Sequence, residues 1–451
     1  MRQVLERVRP SAAEEADLRD VASELLGELA VLTRPVDPRI KAALYGSASR
    51  GTWLRAEKDL DIFLLFPQEY GREALEKVVT DLGARILEGM EKRYAEHPYV
   101  RGYYRGFEVE LVPCYGMADP SKMKSAVDRT PFHDRFVREH ITGQEDEVRL
   151  LKQFLRGIGC YGAEAKVEGV SGYLAELLVI RYGSFKGVLE GATTWRYGEV
   201  LRLDAGKTDK RRFAPSPLIF VDPVDERRNV ASAMSLQSFA TFSFAAKEYL
   251  KGPREEFFFP RERALDRGAL AARLRERGTG LLLVAFPRPE VVEDVLYPQL
   301  RKASLTLRKI LEEEGFRVLD TETAVGISRA GLVLELESLE LPPLRIHWGP
   351  KVDTSHEDRF LEKYASFGGK LTEPFIKGER WCIYLRRRHT SAEALLAEFL
   401  SRHGLGKMGV PRYVALSIEA GYEISVGEGT LVGEFLLPLA EYLDPQLPWK
   451  R

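Results

Sequence analysis

The stretch from Leu44 to Phe66 constrains this chain more than any other, because it joins a tight turn to two acidic residues at a fixed spacing. An apolar run ends at Gly46-Ser47, where the chain can turn and a short helix can begin. Backbone N–H groups at such a helix start suit a phosphate. Eleven residues separate Ser47 from Asp59, and Asp61 opens into five apolar residues. The stretch therefore predicts strand, turn, short helix and strand.

Asp59 and Asp61 share one face of the predicted strand, because residues two apart in a strand point the same way. Two neighbouring carboxylates repel each other, and a buried strand would exclude both unless a cation lay between them. Oxygen ligands beside a phosphate-binding turn favour Mg²⁺ as that cation. Glu108 and Glu110 alternate with apolar residues on a further strand predicted over Phe107–Val112. Taken alone, these two glutamates are typical of a solvated strand face.

Composition narrows the class of protein. The chain has 451 residues, of which 44% are hydrophobic and 30% charged, and this predicts a well-cored globular protein of about two to four domains. The net charge of −1 means that any nucleic-acid surface is a local basic patch. Three widely separated cysteines predict a reducing, cytoplasmic location and no zinc site. No apolar run approaches about 18 residues, so we expect no membrane partner.

The spacing of the turn and the Asp-x-Asp pair resembles the signature of the polymerase β-like nucleotidyltransferase superfamily. The resemblance implies that a nucleotide phosphate is held at the turn and that a metal is held by the strand that follows. It also implies a third carboxylate on a neighbouring strand. Glu110 matches that position, so for this residue the resemblance outweighs the solvated-face interpretation.

Longer blocks resemble the archaeal-type (class I) CCA-adding enzymes, which are tRNA nucleotidyltransferases. The blocks are GSASRGTWL, DLDIFLLFP, VELVPCY, SAVDRTPFH, EVRLLKQFLRGIGCYGAE and VDPVDERRNVA. The resemblance implies template-independent addition of C, C and A to the 3′ end of tRNA from CTP and ATP, with release of pyrophosphate. It implies Mg²⁺ as the cofactor and tRNA, CTP and ATP as the partners. A homodimer is one open alternative for the oligomeric state.

The same resemblance implies roles for ten residues. The catalytic residues, which would hold two Mg²⁺ ions about 3.5–4 Å apart, are Asp59, Asp61 and Glu110. The nucleotide-binding residues are Gly46, Ser47, Arg50, His133, Lys152, Tyr161 and Arg228. Within this second group, Arg228 would help to select the nucleobase and the others would hold phosphate or sugar.

Simpler interpretations stay open for several of these residues. Ser47 is otherwise a helix cap and Arg50 a surface charge. Arg228 is otherwise the ion-pair partner of Asp222 or Asp225. These alternatives concern the local role of each side chain and leave the class of reaction unchanged.

Two positions depart from the pattern of the resembling family. Its first carboxylate is commonly Glu, where this chain has Asp59, and its third is commonly Asp, where this chain has Glu110. Both side chains coordinate Mg²⁺, so the reaction class stays the same. The metal geometry would differ, because Glu110 reaches one methylene further.

The predicted fold is α+β and multidomain. A polymerase β-like nucleotidyltransferase catalytic domain is expected over residues 1–142 and a mainly helical central domain over residues 143–255. Residues 256–451 are expected to form an α+β C-terminal region with antiparallel strands, which the resemblance assigns to tRNA binding. Its nearly 200 residues contain no recognised RNA-binding motif, but an A-form stem is recognised by shape and backbone contacts.

Hydrophobic periodicity and charge give two further local predictions. Long helices are predicted over Arg72–Glu96 and Ser171–Leu189, each from apolar residues at helical spacing. A basic loop, Lys207–Phe213, follows the second of them. Such a charge run is usually a solvated surface, but beside a nucleotide site it could bind RNA phosphates.

Other functions remain as alternatives. A poly(A) polymerase-like enzyme shares the same reaction, and a nucleotidyltransferase acting on a small molecule would not need so large a C-terminal region. An inactive RNA-binding scaffold would not need three carboxylates. An Asp-x-Asp glycosyltransferase would not place Gly46-Ser47 eleven residues before the acidic pair.

Overall fold

The computed structural model describes residues 1–55, 57–94, 98–119 and 122–451. The chain forms two compact units. Unit 1 comprises Met1–Glu262 together with Leu447–Arg451, and unit 2 comprises Arg263–Gln446. Within the described ranges, no helix combines the length and the apolar character needed to cross a bilayer.

Unit 1 consists of a five-stranded sheet with flanking helices, followed by a mainly helical part. Its helices are α1 (Arg2–Val8), α2 (Ala12–Thr33), α3 (Gly46–Arg50), α4 (Arg72–Ile86), α5 (Thr130–His140), α6 (Glu145–Gly157), α7 (Gly172–Tyr182), α8 (Phe185–Ala192) and α9 (Leu236–Lys251). Its strands are β1 (Lys41–Tyr45), β2 (Asp59–Phe66), β3 (Glu88–Tyr94), β4 (Pro98–Tyr104), β5 (Phe107–Tyr115), β6 (Glu199–Leu201) and β7 (Leu218–Phe220). The strand, turn, short helix and strand predicted for the Gly-Ser stretch are confirmed as β1, α3 and β2.

The large sheet has the strand order β1-β2-β5-β4-β3. β2 pairs with β5 in parallel, and the other neighbours are antiparallel. Apolar residues of α2 and α4, among them Leu25 and Val79, form a core with the sheet. A capping box starts α2, since the Glu14 amide donates to Ser11 Oγ at 3.2 Å and the Ser11 amide donates to Glu14 Oε2 at 2.6 Å. Burial of this apolar face fixes one side of the sheet and leaves the other for polar residues.

The long helix predicted over Arg72–Glu96 is wrong in its second half. The helix ends at Ile86, and β3 then pairs antiparallel with β4; the last two predicted residues lie outside the described ranges. Gly89 has a φ of +61°, a left-handed conformation that a continuous helix does not contain. Met90 lies at helical spacing from the apolar residues of α4, but the free edge of β4 offered this segment strand pairing instead, a tertiary effect that periodicity cannot show.

The helix predicted over Ser171–Leu189 is two helices. Gly183 ends α7 with a φ of +79°, and the Ser184 side chain accepts a hydrogen bond from the Gly187 amide at 3.1 Å to start α8. Because both segments are apolar, the break is not visible in the hydrophobic pattern. It lets α8 fold back so that both helices enter one core with α6 and α9.

The C-terminal residues of the chain return to unit 1. Trp449 is buried, and its ring stacks on Phe257 with the ring centroids 5.3 Å apart. Phe257 in turn stacks on Phe154 of α6 at 5.9 Å. Lys450 forms an ion pair with Glu248 of α9 at 3.1 Å. The helical core of unit 1 is therefore completed from the far end of the sequence.

We expect Trp449→Ala to lower the free energy of unfolding by about 3–5 kcal/mol, because a large buried ring is lost and a cavity remains. Urea denaturation of the full chain, followed by circular dichroism, measures the change. Tyr197→Ala is the control, since that ring is 65% exposed in the same unit and its loss should cost less than about 1 kcal/mol. Equal effects of the two substitutions would contradict a structural role for the C-terminal segment.

Unit 2 is an α+β structure with antiparallel sheets, as predicted. Its helices are α10 (Arg267–Arg277), α11 (Glu293–Glu313), α12 (Glu357–Ala365), α13 (Ala392–Leu400), α14 (Arg412–Ala420) and α15 (Leu436–Leu443). Its strands are β8 (Gly280–Pro287), β9 (Val318–Val325), β10 (Arg329–Leu336), β11 (Leu344–Lys351), β12 (Phe375–Lys377), β13 (Arg380–Arg386) and β14 (Glu423–Val426). The strand orders are β14-β8-β10-β9 and β11-β13-β12.

Candidate active site

Strand pairing brings the predicted acidic residues to one face of the sheet. In the parallel pair of β2 and β5, Asp59 lies opposite Glu108 and Asp61 lies opposite Glu110. Residues opposite each other in a ladder share a face, so all four carboxylates lie on the same side. Glu108 forms an ion pair with Arg101 of β4, which leaves the other three without such a partner in the described ranges.

Neighbouring cations compensate the charge of these carboxylates only in part. Burial and the neighbouring Asp59 raise the pKa of Asp61 to about 6, although Arg50 opposes this shift. Burial and the charge of Asp61 raise the pKa of Glu110 to about 7. Burial, followed by repulsion from Glu108, also raises the pKa of Asp59. The three groups therefore form an acidic cluster whose ionised form needs an additional positive charge.

The donor set of this cluster fits a hard divalent cation, because it offers carboxylate oxygens alone and its negative charge is only partly compensated. No three His, Cys, Asp or Glu side chains among the described residues are already spaced to hold a metal ion. Asp59, Asp61 and Glu110 thus share a face without converging on one point. Side-chain rotation about their χ angles is the motion that would bring their oxygens together.

The Gly46-Ser47 turn lies directly against Asp61. Gly46 has a φ of +77°, and a Cβ atom at this position would stand 1.8 Å from Asp61 Oδ2. Only glycine permits both the backbone conformation and this approach. The Ser47 hydroxyl has no hydrogen-bond partner among the described residues, and the residue that caps α3 is Tyr45. Ser47 is therefore not the helix cap that its sequence position also allowed.

Arg50 is fixed by two buried carboxylates. Its Nε donates to Glu176 Oε1 at 2.9 Å and one terminal nitrogen donates to Asp134 Oδ1 at 3.1 Å. Thr52 Oγ1 also donates to Glu176 Oε1 at 2.6 Å, and Ser49 Oγ donates to Asp134 Oδ2 at 3.1 Å. With its side chain 9% exposed, Arg50 is not a surface charge. Its second terminal nitrogen has no acceptor in the described ranges.

Lys152 and Tyr161 lie beside this network. Lys152 is buried on α6, and its Nζ donates to the Thr52 carbonyl at 3.0 Å. Burial lowers the pKa of Lys152, and Glu176 partly restores it. A Cβ atom on Gly172, the first residue of α7, would stand 3.3 Å from the Tyr161 hydroxyl and 3.8 Å from Lys152 Nζ. The two predicted residues therefore lie together near the start of α7.

His133 and Arg228 meet on one buried carboxylate. His133 Nε2 lies 2.9 Å from Asp222 Oδ2, and Arg228 donates to the same oxygen at 2.8 Å. The His133 ring stacks on Tyr173 of α7 with the centroids 4.1 Å apart. Although burial favours the neutral acid, hydrogen bonds from His133, Arg228 and the Val224 amide lower the pKa of Asp222 to about 2. The ion pair that the sequence allowed for Arg228 is thus formed with Asp222.

We expect Asp222→Asn to lower the free energy of unfolding at neutral pH by about 2 kcal/mol. The lowered pKa means that ionised Asp222 stabilises the fold above its ordinary pKa near 4, and that this contribution is lost as pH falls toward 2. The difference between wild type and variant should therefore be constant above about pH 7, where His133 is neutral in both, and should be lost as pH falls toward 2. Urea denaturation at a series of pH values measures it, and a pH-independent difference would contradict the assignment.

Two helices connect the groups just described. α5 carries His133 next to Asp134, and α7 carries Tyr173 one turn before Glu176. Asp134 and Glu176 hold Arg50, whereas His133 and Tyr173 contact the carboxylate that holds Arg228. The structure therefore brings all ten predicted site residues into one continuous region of unit 1.

Sequence reasoning assigned no role to several polar residues that organise this region, namely Thr52, Asp134, Tyr173 and Glu176. One signal was available for Glu176, since it is the single acidic residue in the apolar run of α7. An acid in such a run is expected to have a cationic partner, because an unpaired buried charge is very costly. Asp134 and Thr52 gave no such signal, because their hydrogen-bond partners lie more than 80 positions away in the sequence.

Three known families match successive parts of the chain. Residues 28–133 match "Nucleotidyltransferase domain", residues 146–259 match "tRNA nucleotidyltransferase, second domain", and residues 277–427 match "CCA-adding enzyme, C-terminal domain". The first range contains the acidic cluster, the Gly46-Ser47 turn and His133. The second contains Lys152 and Arg228.

Several archaeal proteins described as "CCA-adding enzyme" are similar over nearly their whole length. That of Methanosarcina barkeri is 40% identical over 437 residues, covering 94% of this chain and 93% of the relative. The Methanothermobacter thermautotrophicus protein is 38% identical, with 99% and 98% covered. The Archaeoglobus fulgidus protein is 37% identical, with 95% and 94% covered.

Proposed function

Because this chain belongs to the archaeal CCA-adding enzymes, the class I tRNA nucleotidyltransferases, we propose that its acidic cluster is the centre at which CTP and ATP are joined to the tRNA 3′ end. The chain adds C, C and A without a template. Its similarity to CCA-adding enzymes along nearly the full length carries this function, and the polymerase β-like catalytic domain accounts for the chemistry. tRNA, CTP and ATP are accordingly its substrates.

A divalent metal is the cofactor of polymerase β-like nucleotidyltransferases, and Mg²⁺ is the ion that we propose here. Asp59, Asp61 and Glu110 are the residues that would hold it, because they share a face and neighbouring cations compensate their charges only in part. Bound Mg²⁺ supplies positive charge to the triphosphate and to the RNA 3′-hydroxyl. The same charge would return Asp61 and Glu110 to their ionised forms at neutral pH.

The residues around the cluster are suited to hold a triphosphate. Ser47 offers a hydroxyl without a described partner, directly after the glycine that approaches Asp61. Arg50 offers one free terminal nitrogen while two carboxylates hold the rest of its guanidinium. Lys152 and Tyr161 add a buried cation and a phenol beside the start of α7. We propose that these groups orient the phosphates, with a reduced cost of ordering because hydrogen bonds already hold Arg50 and Lys152.

Arg228 is our candidate for the protein's share of nucleobase selection. Its side chain is 34% exposed, and the ion pair with Asp222 fixes its direction while its other N–H donors have no acceptor among the described residues. A guanidinium offers only donors, and both cytosine and adenine present acceptors on their edges. His133 shares the same carboxylate, so we propose that it contacts the sugar or a phosphate of the same nucleotide.

The expected organisation of the chain follows from these assignments. We propose residues 1–142 as the catalytic domain, residues 143–255 as the central domain that completes the nucleotide site, and residues 256–451 as the tRNA-binding region. The two ends of this last range, residues 256–262 and 447–451, belong to unit 1, where they complete the helical core. A homodimer and a cytoplasmic location also stay predictions, which sedimentation of the purified chain and fractionation of the source cells would test.

The products made from defined tRNA ends test the function. With CTP alone, a tRNA lacking its CCA end should gain two residues and stop, because the pocket must change its base preference after two additions. With both nucleotides it should gain three and end in A, and a tRNA ending in CC should accept ATP. Sequencing gels of the labelled RNA measure the lengths. Long adenylate tails would instead identify a poly(A) polymerase-like enzyme, and addition to small acceptors alone would identify a small-molecule nucleotidyltransferase.

A further inference from the structure

A basic loop in unit 1 has no role in the site described above. It comprises residues 202–213, which include the basic run Lys207–Phe213, and it lies between β6 and β7. Most of its residues are exposed. Three of its cations, Lys207, Lys210 and Arg212, have no carboxylate partner at ion-pair distance among the described residues. A fourth, Arg211, pairs with Asp209 at 2.9 Å. The loop therefore presents unneutralised positive charge on a chain whose net charge is only −1.

Arg202 holds this loop together through hydrogen bonds to other residues of the loop. Its side chain is 11% exposed, and its terminal nitrogens donate to Thr208 Oγ1 at 2.6 Å and to Asp204 Oδ2 at 2.9 Å. Gly206 lies so close that a Cβ atom there would stand 2.5 Å from an Arg202 nitrogen. The Arg202 carbonyl also accepts a hydrogen bond from Arg181 of α7. A merely solvated loop would not need to close around a nearly buried guanidinium.

The same arginine ties the loop to the turn that carries the proposed base-selecting residue. Arg202 donates to Glu226 at 2.9 Å, and Glu226 lies two residues before Arg228. Backbone hydrogen bonds close that turn. The Arg228 amide donates to the Asp225 carbonyl at 2.9 Å, and the Asp222 amide donates to the Arg228 carbonyl at 3.1 Å. One guanidinium thus holds the basic loop in register with the nucleotide site.

We propose that loop 202–213 binds backbone phosphates of the tRNA 3′ strand through Lys207, Lys210 and Arg212, and that Arg202 is the residue that positions it. The proposal rests on the proposed function of the neighbouring site. RNA that presents its 3′ end beside Arg228 carries one negative charge per nucleotide, and a nearby group of unpaired cations complements that charge. Because the contacts are to phosphate, they would act alike on every tRNA sequence.

The salt dependence of tRNA binding tests the phosphate contacts. Lys207→Gln, Lys210→Gln and Arg212→Gln combined should lower the magnitude of the slope of log K against log salt by about 2, since each contact contributes roughly 0.7 for single-stranded RNA. The matched control removes the same charge from exposed helix positions of unit 1, with Lys77→Gln, Lys247→Gln and Lys251→Gln. Equal slopes for the two triple variants would overturn the proposal, because the loss of net charge alone would then explain the result.

Steady-state kinetics test the positioning role. Arg202→Ala should raise the KM for tRNA by about tenfold while leaving the KM for CTP and kcat near wild type, because phosphate contacts are lost and the chemistry is untouched. A parallel rise in the KM for CTP would overturn it, since that is the signature of a disturbed nucleotide site. If the wild-type chain adds no nucleotide to tRNA, the proposed function is wrong. If the Lys207, Lys210 and Arg212 triple variant is active and its salt slope equals that of wild type, the loop proposal alone is wrong.

Discussion

Asp61→Asn is expected to reduce nucleotide addition by at least about a thousandfold, while tRNA binding stays near the wild-type value. An amide has the shape of the carboxylate but cannot balance the charge of Mg²⁺, and metal charge is worth several kcal/mol to such a transfer. RNA binding depends on basic residues elsewhere. Single-turnover addition of CTP, together with filter binding of tRNA, measures the two effects.

The same substitution should stabilise the metal-free protein. Burial and the charge of Asp59 raise the pKa of Asp61 to about 6, so its ionised form is destabilised in the fold at neutral pH. Asp61→Asn should therefore raise the melting temperature without metal and abolish the further rise that we expect Mg²⁺ with CTP to produce in wild type.

The control for this experiment is on the same face of the sheet. Glu108 lies opposite Asp59 but forms an ion pair with Arg101, so we expect it not to bind metal. Glu108→Gln should keep nucleotide addition within about tenfold of wild type. Activity of Asp61→Asn within tenfold of wild type would sink the metal assignment, and an equal loss in both variants would show that charge on this face matters without regard to position.

Gly46→Ala is expected to lower kcat by about a hundredfold or more, because a displacement of about 1 Å at a catalytic group can cost that much. The added Cβ atom would stand 1.8 Å from Asp61 Oδ2 and 2.8 Å from its carboxylate carbon, so the carboxylate must move. The protein should still fold, since the side chain of Asp61 can rotate away. Single-turnover addition with saturating CTP and tRNA measures the loss.

Gly51→Ala separates this clash from backbone strain. Gly51 has a φ of +66°, so alanine there carries a similar left-handed penalty of about 1–2 kcal/mol. Its Cβ atom would meet only Glu145 Cγ, at 4.0 Å. We therefore expect both variants to melt at lower temperature and only Gly46→Ala to lose activity strongly. Similar activities would show that the turn does not position Asp61.

The sequence by itself determined the strand that carries the proposed catalytic residues and the turn before it. Gly46, Asp59 and Asp61 lie within one short stretch, so their relation depends on strand alternation and a turn, which are local properties. The long blocks that resemble CCA-adding enzymes added the reaction and its substrates. The placement of Glu110 beside Asp61 was also foreseeable, although the exact pairing of β2 with β5 was not.

The tertiary structure alone decided how the side chains of the proposed nucleotide site are held. Arg50 meets acceptors 84 and 126 positions away, and His133 meets Asp222 across 89 positions. No local pattern contains such pairs, because they follow from the packing of α5 and α7 against the turn. The strand β3 has the same origin, since the edge of β4 converted the end of a helical pattern into a fifth strand.

The difference between what the sequence predicted and what only the fold decided has one physical cause. Dihedral preferences and hydrophobic periodicity act over a few residues, so they can be read from neighbouring letters of the sequence. Buried charges gain their stability from partners that only the complete fold brings within hydrogen-bond distance. In this chain the face that carries Asp59 and Asp61, the proposed metal ligands, could be predicted from local patterns. The carboxylates that position the cations, Asp134, Glu176 and Asp222, could not.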